Sequence, residues 1–285
     1  MLSDAEFLGL VAGDSPGRYD FTVQDHLARF DGYLYGGTAI AVSITAAELT
    51  SERSALWMTT QFVSTAPPGE KVSVHAEILA PGHRTNQIRV TGTNPNGDIM
   101  FASLGATGHH RADGLAGVFE NAPTVERPEE SGAWSFLGKA REAGVVPSIP
   151  DIDRNGGFAS VLEFRQPSVH HHPDPGPGRV CLWVRRRDGV PVTPALVAYI
   201  ADMVPMSITV ACGVIAAGIS LDNSIRIGAF DETEWVLVDL RPHLAVGDYG
   251  HGAAHIWSEC GSLLATASQS TSMKRIELAP PAQAD

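Results

Sequence analysis

The chain has 285 residues and a mass of 30.2 kDa, enough for one large core or two of roughly 140 residues each. With 44% hydrophobic and 18% charged residues it reads as an ordinary globular protein, and no apolar run is expected to have the length and purity of a membrane span. A net charge of −12, with Arg185-Arg186-Arg187 the only dense basic run, excludes a nucleic-acid surface, because a phosphate backbone calls for a concentrated cationic patch.

The N-terminal MLSDAEFLG has no basic segment ahead of an apolar core, so a signal peptide is not expected and a cytoplasmic location is. Residues 1–17 read as a polar lead-in with a short helix or turn, and Tyr19–Val23 as a short strand. FDGYLYGGTAIAVSITAAEL follows, where Gly36-Gly37 opens an alanine-rich helix small enough to lie close against a sheet. The apolar period then changes to two. Strands are expected over 56–64, 70–79, 85–93 and 99–109, separated by turns at Pro67-Pro68-Gly69 and Asn94–Asp98. Residues 111–155 are rich in Pro, Glu and Gly and read as a joining segment, with one or two short helices near Trp134–Ala143.

The first pattern then returns. Strands are expected at 157–163 and 179–185, a helix from Thr193, and strands at 220–227, 235–241, 251–260 and 263–273. Thr193-Pro194 is a side-chain cap followed by the residue best tolerated at the first helical position. That helix carries a carboxylate, Asp202, between Ala201 and Met203, and a buried acid is expensive unless it is bonded or used. It could equally face solvent or cap a break before Pro205. Shifting the first half by about 164 residues lays GEKVSVHAEIL over ETEWVLVDLRP and places Gly105 opposite Gln269, a period that means duplicated domains.

Other polar clusters carry less. Cys181, Cys212 and Cys260 are far apart, form no redox or metal pair and read as small core residues. His170-His171-His172 with Asp174 lies on a Pro/Gly loop, where adjacent histidines seldom converge on one ion. His109-His110-Arg111 reads as a solvated strand exit, and Arg185–Arg187 as a solvated hairpin end. Gly36-Gly37 lacks the spaced third glycine of a dinucleotide fingerprint.

The doubled order of strand, helix and four strands resembles the tandem hotdog fold, and in particular thioesterases of the acyl-CoA thioesterase II type. FDGYLYGGTAIAV, PALVAYIADMVP, and SLDNSI with LLATASQSTSMKR carry the resemblance over nearly the whole chain. It implies an α+β double hotdog, two antiparallel sheets each wrapped around a long central helix. Its domains would be residues 1–115 and 155–285, with 116–154 joining them. It further implies that Asp202, Ser220 and Gln269 hold and activate a water that hydrolyses an acyl-CoA, without a metal or other cofactor. Ser220 stands where many relatives have Thr, and Asn223 where some have His. Gly36-Gly37, or the head of the second helix, would offer oxyanion donors, and Gly82-His83-Arg84 a coenzyme contact. Two alternatives stay open: an acyl or acyl-CoA binding protein without catalysis, and an enoyl thioester hydratase, which the lack of His in Thr193–Ile219 disfavours. Two protomers or more are expected from exposed sheet edges.

Overall fold

A computed structural model describes residues 3–111, 113–135, 157–168, 170–171, 178–214 and 216–275. Helix α1 (Asp4–Leu8) and strands β1 (Val11–Ala12) and β2 (Arg18–Thr22) lead into α2 (Gly36–Ser51). The strands β3 (Ser54–Phe62), β4 (Lys71–Ala80), β5 (Thr85–Thr93) and β6 (Ile99–Gly108) follow. After the short strands β7 (Thr124–Val125) and β8 (Gly132–Ala133) come β9 (Leu162–Gln166), β10 (His170–His171) and β11 (Val180–Arg186). The second half then runs through α3 (Pro194–Ile200), α4 (Val204–Cys212), β12 (Ala216–Ile227), β13 (Val236–Val246), β14 (Tyr249–Ser258) and β15 (Leu263–Arg275).

The strands form because their apolar residues recur with period two. Val72, Val74 and Ala76 of β4 and Val236, Val238 and Leu240 of β13 all face the core. All strands but β7 and β10, which pair with each other, form one antiparallel sheet in the order β1-β2-β4-β5-β6-β3-β12-β15-β14-β13-β11-β9-β8. The order of the second half mirrors that of the first about the β3–β12 junction. There Thr59 lies opposite Ser224, with their hydroxyl oxygens 2.7 Å apart. The duplication seen in the sequence is kept in backbone detail. The turn glycines Gly97 and Gly261 both take left-handed conformations, φ 88° and 85°.

Two expectations about this architecture are corrected. Instead of two separate sheets the described residues form one of 13 strands, because β3 and β12 satisfy each other's edges. Among the described residues only α2 is a long helix, with 16 residues; its partner is broken into α3 and α4. Pro205 explains the break, since it lacks an N–H and its ring opposes the carbonyl four residues back, at Ala201. Helix α2 is buried from Gly37 to Ala47, and its hydroxyls are satisfied locally, as Ser43 and Thr45 donate to the carbonyls of Ala39 and Ala41 at 2.8 and 2.9 Å. It packs on α3 with both helices against one face of the sheet.

Smaller corrections follow from packing. Pro194–Cys212 is long and apolar enough to cross a membrane, with mean hydropathy 1.7, contrary to the expectation; most of it lies inside the core, and it is broken in the middle. Cys212 and Cys260 are exposed, and only Cys181 is buried. Arg186 is not solvated: its guanidinium lies 4.4 Å from the Phe7 ring centroid and pairs with Asp188, while Arg185 stacks on Trp235. The strand expected at 157–163 is a 3-10 turn, Phe158–Val161, leading into β9. The helices expected near Trp134–Ala143 fall, from residue 136 on, outside the described residues, as do His172 and Asp174.

The described part of the joining segment covers the sheet face turned away from the helices. Ala122 and Val125 pack on Cys181, Trp183, Trp235, Leu237 and Trp257, and Trp183 donates its indole N–H to the Glu126 carbonyl at 2.7 Å.

Candidate active site

The break between α3 and α4 builds the site. Thr193 caps α3 by accepting from the Leu196 N–H at 3.1 Å, the helix runs seven residues, and Ala201–Met203 then leave it. Asp202 sits in that break with 7% of its surface exposed. Its backbone carbonyl accepts from the Tyr35 hydroxyl at 3.2 Å, and Tyr35 is itself clamped by Phe158, stacked at 4.0 Å, and Tyr199, edge-on at 5.4 Å.

The Asp202 side chain gathers donors from three elements. Ser220 on β12 donates to Oδ1 at 3.0 Å, Gln269 on β15 donates to the same oxygen, and the Gly37 N–H at the head of α2 donates as well. Gln269 Nε2 also donates to Ser220 Oγ at 2.6 Å, and its Oε1 accepts from the Val204 N–H, at the head of α4, at 3.3 Å. Burial pushes the Asp202 carboxyl up to about 7, against the opposing pull of the Ser220, Gly37 and Gln269 hydrogen bonds and the Arg29 charge. A carboxylate that exchanges protons near neutrality, next to a hydroxyl and an amide, is a general-base arrangement.

The glycine pair matters for space. A β-carbon at Gly36 would run into the Asp202 carboxyl and come within 3.0 Å of the Phe62 ring; one at Gly37 would meet the Tyr199 carbonyl and the Tyr35 ring. Gly36 and Gly37 therefore let α2 approach Asp202 end-on. Gly82, His83 and Arg84 are not brought here. They form an exposed turn at the opposite end of α2, where the Gly82 carbonyl accepts from Arg53 at 3.0 Å, about 24 Å along the helix.

Of the expected oxyanion donors, the Gly37 N–H is already engaged. The Gly37 and Val204 N–H groups serve Asp202 and Gln269 themselves. One residue that sequence reasoning passed over also belongs to the site. Tyr35 anchors the broken turn, and its position directly before the glycine pair was the available signal. Asn223, noted in the sequence only as standing where some relatives have His, lies opposite Gln269 in the β12–β15 ladder, wholly buried. Among the described residues no group of three His, Cys, Asp or Glu is placed to hold a metal.

Comparison with known proteins decides the family. Residues 26–107 match the acyl-CoA thioesterase N-terminal domain, and residues 138–273 match the acyl-CoA thioesterase C-terminal domain. The chain belongs to the acyl-CoA thioesterase family. The thioesterase is 30% identical to a protein from Novosphingobium aromaticivorans DSM 12444 assigned as a thioesterase, over 93% of this chain and 98% of that one, with a TM-score of 0.79. It also matches acyl-CoA thioesterase II TesB2 from Mycobacterium marinum at 18% identity, over 96% and 99% of the two chains, with a TM-score of 0.73. A hot dog fold protein of unknown function from Alicyclobacillus acidocaldarius matches at 18% identity over 97% and 98%, with a TM-score of 0.78. These likenesses show a hotdog-type fold. No functionally curated protein matches. The thioesterase is a thioester hydrolase acting on acyl-CoA.

Proposed function

We propose that hydrolysis proceeds through a water molecule activated by Asp202 and oriented by Ser220 and Gln269, without a covalent intermediate. The convergence of Ser220 and Gln269 on the buried Asp202 carboxyl, which burial pushes up to about 7, carries the reading. Gln269 directs both amide hydrogens at Asp202 and Ser220, so the lone pairs remaining on those two residues accept the two water protons. The water oxygen is then left free to attack the thioester carbon. Asp202 takes a proton as the C–O bond forms. As the tetrahedral intermediate collapses the C–S bond breaks, and the proton passes to the departing CoA sulfur. Ser220 is an orienter, because its hydroxyl donates to a carboxylate and no histidine is bonded to it among the described residues.

The mirrored strand order and the shared turn conformations at Gly97 and Gly261 support a double hotdog with halves 1–115 and 155–285. The second half carries the chemistry, and the first contributes Tyr35, Gly36 and Gly37 to the wall. Among the described residues the sheet ends in two-residue strands, β1 and β8, so edge pairing there gives little reason to associate. A better reason is the exposed apolar row Ile219, Tyr249 and Val246, which the β12–β15–β14–β13 registers align through Ser272. That row supports a homo-oligomer.

A panel of acyl-CoAs, with free thiol and free acid both measured, tests the reaction. The wild type is expected to release both, and Asp202→Asn to lose on the order of 10²–10⁴ in kcat. Binding without turnover would mark a carrier, and water uptake without thiol release a hydratase.

A further inference from the structure

Deep in the sheet four neighbouring side chains on one rung face the helices and are all polar. The register places Ser103 of β6, Thr60 of β3, Asn223 of β12 and Gln269 of β15 opposite one another in turn. At one end the hydroxyl of Ser103 lies 2.8 Å from that of Thr60 and 2.9 Å from that of Ser43 on α2. At the other, Gln269 is bonded to Asp202, Ser220 and Val204. Asn223 stands between these two networks and belongs to neither. It is fully buried, and among the described residues neither Oδ1 nor Nδ2 has a hydrogen-bond partner.

A buried carboxamide without partners is costly, and native proteins keep such a group where something else engages it. The duplication shows that the fold itself does not require it. In the first half the matching rung is Ile88, Gly105 and Met58, where the second half has Gly252, Gln269 and Asn223. Met58 and Ile88 are fully buried and apolar. The amide pair therefore occurs only in the half that carries Asp202, and Asn223 and Gln269 are neighbours across one ladder, with β-carbons about 5 Å apart.

The reaction calls for a donor at the carbonyl oxygen, and no side-chain hydrogen of the Asp202 cluster is left for it. Both hydrogens of the Gln269 amide, the Ser220 hydroxyl hydrogen and the Gly37 N–H are all directed at the groups that hold the water. We infer that Asn223 Nδ2 donates to the thioester carbonyl oxygen and stabilises the negative charge that develops on it, an inference that rests on the hydrolytic reading of the Asp202 cluster. As water attacks, the carbonyl π electrons move onto that oxygen beside the Asn223 N–H. They return to expel the CoA thiolate, so Asn223 neither gains nor loses a proton.

The test is steady-state hydrolysis of the same acyl-CoA panel by Asn223→Leu, similar in volume but without a donor, beside Asp202→Asn and the wild type. Removal of one oxyanion donor is expected to lower kcat by about 10²–10³ on every substrate turned over, with KM within a few-fold. The acidic limb of the pH profile is expected to stay where it is in the wild type, and the melting temperature to hold or rise, because an unpaired buried amide has gone. Should Asn223→Leu fail to fold, Asn223→Thr carries the same kinetic expectation, since its hydroxyl stops one bond short in a residue that suits a strand. Activity within a few-fold of wild type, with Asp202→Asn inactive in the same assay, overturns the donor role and leaves the hydrolytic reading standing. A moved pH limb would mean that Asn223 acts through Asp202, and a rise in KM alone would mean a ground-state contact to the acyl group; either overturns the inference. No turnover by the wild type on any substrate would end both.

Discussion

In the proposed reaction Asp202 concentrates the chemistry in one ionisation. Its carboxyl is pushed up to about 7 because burial removes water that three donors only partly replace. The base is the ionised form, so kcat/KM is expected to rise with pH and level off above an apparent value near 7; a flat profile between pH 5.5 and 8.5 would remove Asp202 from the role. The same shift acts on stability with the opposite slope. The folded protein holds a proton on Asp202 that the unfolded chain releases near the ordinary carboxyl value of 3.8, so this contribution is fully present below that value. It is lost as pH rises through about 7. Asp202→Asn escapes that loss. Its stability relative to wild type is expected to grow by roughly 3 kcal/mol between pH 5 and pH 8, read from urea unfolding at the two pH values. The identity of this acid was legible in the sequence as an unexplained carboxylate in an apolar run. Its partners were named only through resemblance, because residues 202, 220 and 269 have no local relation to one another.

At the scale of elements, the strands were the most legible part. The expected 85–93 and 99–109 correspond to β5 (Thr85–Thr93) and β6 (Ile99–Gly108), since alternation and Gly/Pro/Asn turns are local signals. The second helix was less legible. Apolar content ran without interruption through Pro194–Cys212, and the break followed from Pro205 and from contacts made by Asp202 with α2, β12 and β15. That break and the α2 head must stay in register. Gly36→Ala is expected to displace the Asp202 carboxyl and lower kcat on the order of 10², with the fold retained by circular dichroism. Gly37→Ala meets a backbone carbonyl and an aromatic ring, so it should instead cost about 1–3 kcal/mol in denaturant unfolding.

For the whole molecule, the two halves share a sheet and a helix layer. Helices α2 and α3 are both buried in one apolar cluster, and β3 with β12 closes the sheet between the halves. A single calorimetric unfolding transition is expected, and two separable transitions would show that the halves are stable alone. Light scattering checks the homo-oligomer, for which Val246→Lys, in the exposed apolar row, is expected to shift the mass toward monomer with hydrolysis retained.

By itself the sequence determined what short-range physics can determine: the period-two strands, the glycine-headed helix, the acid in the apolar run and the duplication at about 164 residues. The tertiary structure alone decided that two sheets become one, that the Gly37 N–H is used by Asp202, and that Asn223 is buried without a partner. Those facts depend on register between strands far apart in the chain, and on one irregularity between Ser220 and Asp222 that sets which side chains of β12 face the helices. A bulge of that kind shifts a strand's pairing by one residue and leaves little trace in hydrophobic pattern, so the side chains that meet at Asp202 are a property of the folded sheet.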